Sequence, residues 1–162
     1  MSKIDSDQLN RWLSLAANLG VIAGIVFLVV ELRQNTEMMR AQSRTEMSQD
    51  TINMLTLNVN DPEYLDVIDR GLAGDELPPL EQTQFRRTYN AWIWHWNNLA
   101  YQHRVGLYDD SEYELQIEIV RKDIDRLPGL KKHWCANRQR NASRELIIAI
   151  EGSADSSYCS SE

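Results

Sequence analysis

Apolar residues are distributed along this chain in two different ways. From Leu13 to Val30 they are almost continuous: LSLAANLGVIAGIVFLVV carries no charge, and Ser14 and Asn18 are its clearly polar interruptions. With Trp12 the run is about 19 residues, roughly 28 Å as a helix, enough to cross a hydrocarbon core with little tilt. A core helix of a soluble domain keeps a polar stripe, and this run has none. The pattern predicts a transmembrane helix over 12–31, preceded by a tail, 1–11, in which Asp5, Ser6 and Asp7 can cap the helix start. The run is longer than the apolar core of a cleavable signal, and ELRQNTE follows it instead of a small-residue cleavage site. It is expected to stay as an anchor.

After the run the spacing changes to that of amphipathic helices. Residues 32–60 contain no Gly, no Pro and few apolar positions, which predicts a helical stalk that leaves the membrane and joins a soluble domain. Met38, Met39, Met47 and Met54 within it are read as core filler, with an adaptable contact surface as the alternative. A helical domain is expected over 61–151. Asp61-Pro62-Glu63 opens its first helix, which Gly71 or Gly74 ends before the loop GDELPP. The next helix runs from about Pro79 to Arg104 and is stopped by Gly106. Phe85, Tyr89, Trp92, Trp96, Leu99 and His103 fall on one of its faces, and Trp94 and Tyr101 on another. The tryptophans of WIWHW cannot share one face, so this helix is expected to be contacted on at least two, as the central helix of the domain. Asp109-Asp110-Ser111 caps a helix to about Arg126 whose stripe is Tyr113, Ile117, Val120, Ile124 and Leu127. Leu127-Pro128-Gly129 breaks it, a shorter helix covers about 130–139 around Trp134, and NASRELIIAIE supplies the last. The Ser-rich end, 152–162, is expected to be disordered. With no strand pattern and no repeat, the fold class is all-α: an N-terminal transmembrane helix continuing into a stalk and a small helical-bundle domain.

Charge adds one distinction. The formal net charge is −7, unevenly spread. Acidic residues dominate 61–120, whereas 121–144 carries Arg121, Lys122, Arg126, Lys131, Lys132, Arg138, Arg140 and Arg144 against Asp123 and Asp125. The acidic total argues against nucleic-acid binding. The basic segment is expected to face the acidic segment of its own domain, with anionic lipid head groups as the alternative. Cys135 and Cys159 form no CxxC and no disulfide framework, and are read as a buried small residue and a tail thiol. Membrane orientation is nearly a tie, with Lys3, Arg11 and the amino terminus before the apolar run against Arg33, Arg40 and Arg44 after it. The missing cysteine framework and the two acidic residues of the N-terminal tail tip the expectation towards a cytoplasmic domain.

Candidate sites are few. Within the apolar run Ala16, Gly20 and Gly24 recur at every fourth position, a strip of small residues on which a second helix can approach closely; this predicts a homo-oligomer through the transmembrane helix. Asn18 projects from a different face and can hydrogen-bond another neighbour. Trp92, Trp94, Trp96, Tyr101 and His103 are the candidate lining of an aromatic pocket. His95 and His103 are spaced too far apart for a helical zinc pair, and although Glu114 and Glu118 share a face, the second half of a carboxylate-bridged site is missing. No metal and no cofactor is expected. There is no GxSxG, no cysteine in a polar turn and no glycine-rich phosphate loop, so no catalytic activity is expected either.

Two segments carry a resemblance: Glu31-Leu32-Arg33-Gln34-Asn35-Thr36 at the end of the apolar helix, and Trp96-Asn97-Asn98-Leu99-Ala100-Tyr101-Gln102-His103-Arg104-Val105-Gly106-Leu107, followed by Asp109-Asp110, Pro128-Gly129 and Trp134. This order resembles a group of small uncharacterised bacterial single-pass membrane proteins. The resemblance implies a bacterial source, an inner-membrane anchor and a helical C-terminal domain, and carries no activity. The functional expectation is a membrane-anchored, self-associating interaction module that meets membrane lipids and an unknown protein partner. The alternative is a ligand or lipid sensor using the aromatic pocket.

Overall fold

The computed structural model describes residues 6–56, 59–153 and 157–160. Among them are six α-helices, one 3-10 turn and no strand, which is the all-α class expected. The chain falls into two units, Met1–Ala41 and Gln42–Glu162, and the division lies inside the first helix.

That helix, α1 (Ser6–Thr56), runs unbroken for 51 residues. In the first unit every large apolar side chain from Leu9 to Leu32 is exposed. None of its most apolar stretch is covered by the protein, and by length and composition it is a candidate membrane span. The second unit takes over before the expected domain start at 61: Ser43 and Met47 are buried. The four methionines divide accordingly, with Met47 in the core, Met54 half-buried and Met38 and Met39 exposed in the first unit.

Local chemistry sets the remaining helices. In α2 (Pro62–Ala73) the Asp61 carboxylate accepts from the N–H groups of Glu63 and Tyr64, and Gly74 ends the helix at φ 90°, a left-handed conformation that glycine adopts without strain. α3 (Pro79–Arg104) closes with paired bonds, Leu107 N–H to the Gln102 carbonyl (2.9 Å) and Gly106 N–H to that of His103 (2.9 Å), the double lock of a Schellman end. Asp109 caps α4 (Asp110–Arg126). Pro128 both stops α4 and opens α5 (Pro128–Asn141), because a first-turn position needs no N–H; α5 therefore starts earlier than expected, and it also ends later. Ser143 caps α6 (Arg144–Glu151) through the Leu146 N–H.

α3 is central and packs against α2, α4, α5 and α6. The core joins Ile93, Trp96 and Ala100 of α3 to Ile117, Val120 and Ile124 of α4, Leu130 and Trp134 of α5, and Leu146, Ile147 and Ile150 of α6. α2 and α5 cross at two glycines: a Cβ on Gly129 would lie 1.7 Å from the Gly71 carbonyl oxygen, and one on Gly71 would lie 2.2 Å from the Phe85 ring. Polar ties fix the rest. Asn97 donates to the Asn141 carbonyl (2.6 Å) and accepts from the Ser143 N–H (2.7 Å), pinning the α5–α6 turn onto α3. The inaccessible Glu151 carboxylate accepts from Trp134 Nε1 (2.8 Å) and pairs with Arg138.

Several expectations are overturned. Cys135 and Cys159 are joined in a disulfide, their Cα atoms 5.5 Å apart; the turn at Ala142 and Ser143 lets α6 bring the chain back to α5, so a separation of 24 positions hides a contact in space. The described part of the Ser-rich end is ordered. Ser157–Cys159 form a 3-10 turn, the Tyr158 hydroxyl donates to Asp125 (2.6 Å) and the Lys131 ammonium lies 5.0 Å over the Tyr158 ring. The disorder expected for 154–156 and 161–162 falls outside the described residues. α3 is contacted from several sides, as expected of the central helix, but not at Trp94, which is 66% exposed. The basic segment mostly binds its own end of the chain, Arg121 on the Ala149 and Ile150 carbonyls and Arg138 on Glu151, with Lys122 to Glu118 the described ion pair that reaches the 61–120 segment.

Candidate functional site

The second half of α1 lies against α3 in an antiparallel seam of side-chain bonds. Ser43 donates to Gln102 (3.2 Å), Asn98 donates to the Met47 sulfur (3.3 Å), and Thr51 meets His95 (3.1 Å). Positions 43, 47 and 51 step one helical turn at a time, as 102, 98 and 95 do in the opposite direction, so the contacts follow from the helical repeat. Arg44 spans to Glu112 on α4. Between these contacts opens a cleft of about 260 Å³, lined on the α1 side by Met47, Ser48, Thr51 and Ile52, floored by Trp92, His95, Trp96 and Leu99, and bounded by Tyr108 and Gln116.

Its electrostatics are those of a neutral site. The Thr51 hydroxyl gives its proton to the Met47 carbonyl (2.9 Å), so the oxygen is left to accept from His95 Nε2–H. Burial lowers the His95 pKa, with Asp50 opposing, and burial raises that of Tyr108, with Glu112 adding to it and Arg44 opposing. A hydroxyl whose proton is held by a carbonyl, and an imidazole whose facing nitrogen already carries a proton, do not make a nucleophile and its base. The arrangement can instead receive a small planar or branched apolar group and offer it one or two hydrogen bonds. The volume lies just below the range of about 300–1,000 Å³ usual for ligand pockets, too small for a whole lipid.

The five candidate pocket residues are not brought together. Trp92 and Trp96 line the cleft, 6.3 Å apart between ring centroids. Trp94 and Tyr101 face outward, with the Arg104 guanidinium 5.2 Å over the Tyr101 ring. His103 stacks on Tyr113 at 3.9 Å and bonds Asp110 at 3.0 Å, which places it at the α3–α4 corner. Sequence spacing missed Ser48, Thr51 and Ile52 of α1, Tyr108 and Gln116. The signal that was available is the four-residue step of Ser43, Met47 and Thr51 along α1.

In the first unit Ala16, Asn18, Gly20 and Gly24 are all exposed, and a Cβ on either glycine meets nothing within 4 Å. Among the described residues no group of His, Cys, Asp and Glu is placed to hold a metal ion. Comparison with protein-family models, with curated proteins and with solved structures finds no match to this chain.

Proposed function

We propose that this chain is a single-pass protein of a bacterial inner membrane that self-associates through its apolar helix and presents an all-α domain, with no catalytic activity of its own, to a protein partner. The observation that carries the reading is α1. Its apolar side chains from Leu9 to Leu32 are exposed, while Ser43, Met47 and Thr51 of the same helix are bonded into the second unit. Covering a large apolar side chain is worth about 1.5–3 kcal/mol, so leaving the whole set in water forgoes tens of kcal/mol. A domain's net stability is only about 5–15 kcal/mol, which makes lipid the natural cover. In lipid the Ala16, Gly20 and Gly24 strip supplies close packing, and Asn18 a hydrogen bond to a second neighbour. The bacterial setting follows from the resemblance carried by the 31–36 and 96–107 segments. The cytoplasmic side expected for the domain leaned on the missing cysteine framework and on the two acidic residues of the N-terminal tail, and with Cys135 bonded to Cys159 the first of these grounds is weakened.

Alkaline carbonate extraction of membranes holding the full-length protein, followed by crosslinking, tests both parts. The protein is expected in the pellet, and Gly20→Ile with Gly24→Ile is expected to reduce crosslinked oligomers at unchanged helix content. Release into the supernatant would refute the anchor, and undiminished crosslinking would refute the strip. The cleft floored by Trp92 and Trp96 supports a second reading, a small-ligand sensor. Titration with cyclohexanol, a small apolar probe that does not itself fluoresce, should then shift tryptophan emission in the parent and not in Thr51→Leu.

A further inference from the structure

We propose that the helical unit lies on the non-cytoplasmic side of the membrane, where Cys135 and Cys159 are a modification site oxidised after synthesis by a protein thiol–disulfide oxidant. The inference rests on the anchored reading above and adds an orientation and a reaction partner to it.

The disulfide follows from the fold. Cys135 lies on α5 beside the core residue Trp134, both cysteines are half-buried and packed against the core, and Tyr158 next to Cys159 is held from two sides by Asp125 and Lys131. The thiols are thus delivered to each other by contacts that do not need the bond. A pair presented in this way is oxidised wherever the compartment allows it, and the thiol buffers of the cytoplasm do not. Lys3, Arg11 and the amino terminus balance Arg33, Arg40 and Arg44. The acidic Asp5 and Asp7, which lean towards a cytoplasmic domain, count for little because the positive-inside rule follows Lys and Arg and not net charge; the decision is left to the cysteines. With one span, a domain outside puts residues 1–11 inside.

The reaction balances as two exchanges. The thiolate of one cysteine attacks the oxidant's disulfide, forming a mixed disulfide and releasing one oxidant thiol. The second cysteine's thiolate then attacks the mixed disulfide, forming the Cys135–Cys159 bond and releasing the other oxidant thiol. Two electrons pass to the oxidant, and two thiol protons end on its sulfurs.

The test uses the full-length protein in its own cells. These are quenched in acid, denatured, and treated with a high-mass maleimide before or after reduction, while intact spheroplasts are exposed to protease. The inference expects no mass step before reduction, two steps after it, and digestion of the domain from outside. Two steps without reduction, or a domain protected in spheroplasts and digested once they are lysed, would overturn it. A phosphatase that is active only when exported, fused after Glu162, reads the side independently of the cysteines and should be active. Carbonate extraction of the same samples keeps the two readings apart: oxidised protein in the supernatant overturns the anchor and supports the compartment, and reduced protein in the pellet does the reverse.

Discussion

Replacing Cys135 and Cys159 together by serine removes the ring that encloses α6. The ring spans 24 positions, and loop-closure entropy for that length corresponds to about 3.4 kcal/mol of stability. The magnitude matters because of what the ring contains. α6 has eight residues, short of the roughly 12–15 that an isolated helix needs to persist. Yet Leu146, Ile147 and Ile150 from it are 0%, 5% and 1% exposed, and complete the core against α3 and α4. Each such side chain contributes about 1.5–3 kcal/mol by its burial, so undocking α6 would forfeit more than the bond itself supplies. The bond acts by denying the unfolded chain its freedom, and the packing does the rest.

The assay is urea unfolding of the full-length protein in mild detergent, followed by tryptophan emission. Trp134 is a reporter in the right place: it neighbours Cys135, is 1% exposed and donates to Glu151 at the end of α6. With a slope of about 1.5 kcal/mol per molar urea, losing about 3 kcal/mol lowers the midpoint by about 2 M. Dithiothreitol should reproduce that shift in the parent and add nothing in the variant. Equal midpoints for oxidised and reduced parent would refute the dependence of α6 on the ring. A shift in the variant alone would trace the loss to the serines and not to the missing bond.

Three further outcomes are expected. Gly129→Ala forces α2 and α5 apart by more than about 1 Å, at or above the top of the usual 1–3 kcal/mol overpacking range; a melting temperature equal to the parent's would contradict the glycine crossing. Glu151→Gln leaves the Arg138 guanidinium, 12% exposed, without its charge partner and should cost about 3 kcal/mol, whereas Arg138→Met with Glu151→Leu should unfold at higher urea than the single variant. Burial, with Arg86 adding to it, pushes the His133 imidazole down from 6.5 to about 4, so as pH falls the unfolded chain takes up the proton first. The stability that neutral His133 confers is therefore complete above about pH 6.5 and is lost between there and pH 4, up to about 3 kcal/mol. Urea midpoints at pH 7 and 4.5 should fall further in the parent than in His133→Gln.

What the sequence made legible was whatever a few neighbouring residues decide. Asp61, Gly106 and Asp109 mark helix ends because caps and left-handed turns are settled within four or five positions, and α3 appears at Pro79–Arg104 as its spacing predicts. The stripe from Phe85 to His103 was readable for the same reason. Periodicity names a face and is silent on what meets it. It put Trp94 and Trp96 on different faces without saying that the Trp94 face is left to solvent, and it could not pair Ser43 with Gln102 or Cys135 with Cys159, since those pairings depend on turns and crossings far away in sequence. The 96–107 segment shows the consequence most clearly. Trp96 is core, Asn97 pins the α5–α6 turn, Asn98 and Gln102 hold α1, and Gly106 with Leu107 locks the end of α3. Its three amide side chains, Asn97, Asn98 and Gln102, are all occupied in holding helices together. Within the second unit this segment is therefore a framework, and the surface it holds in place is the cleft floored by Trp92 and Trp96.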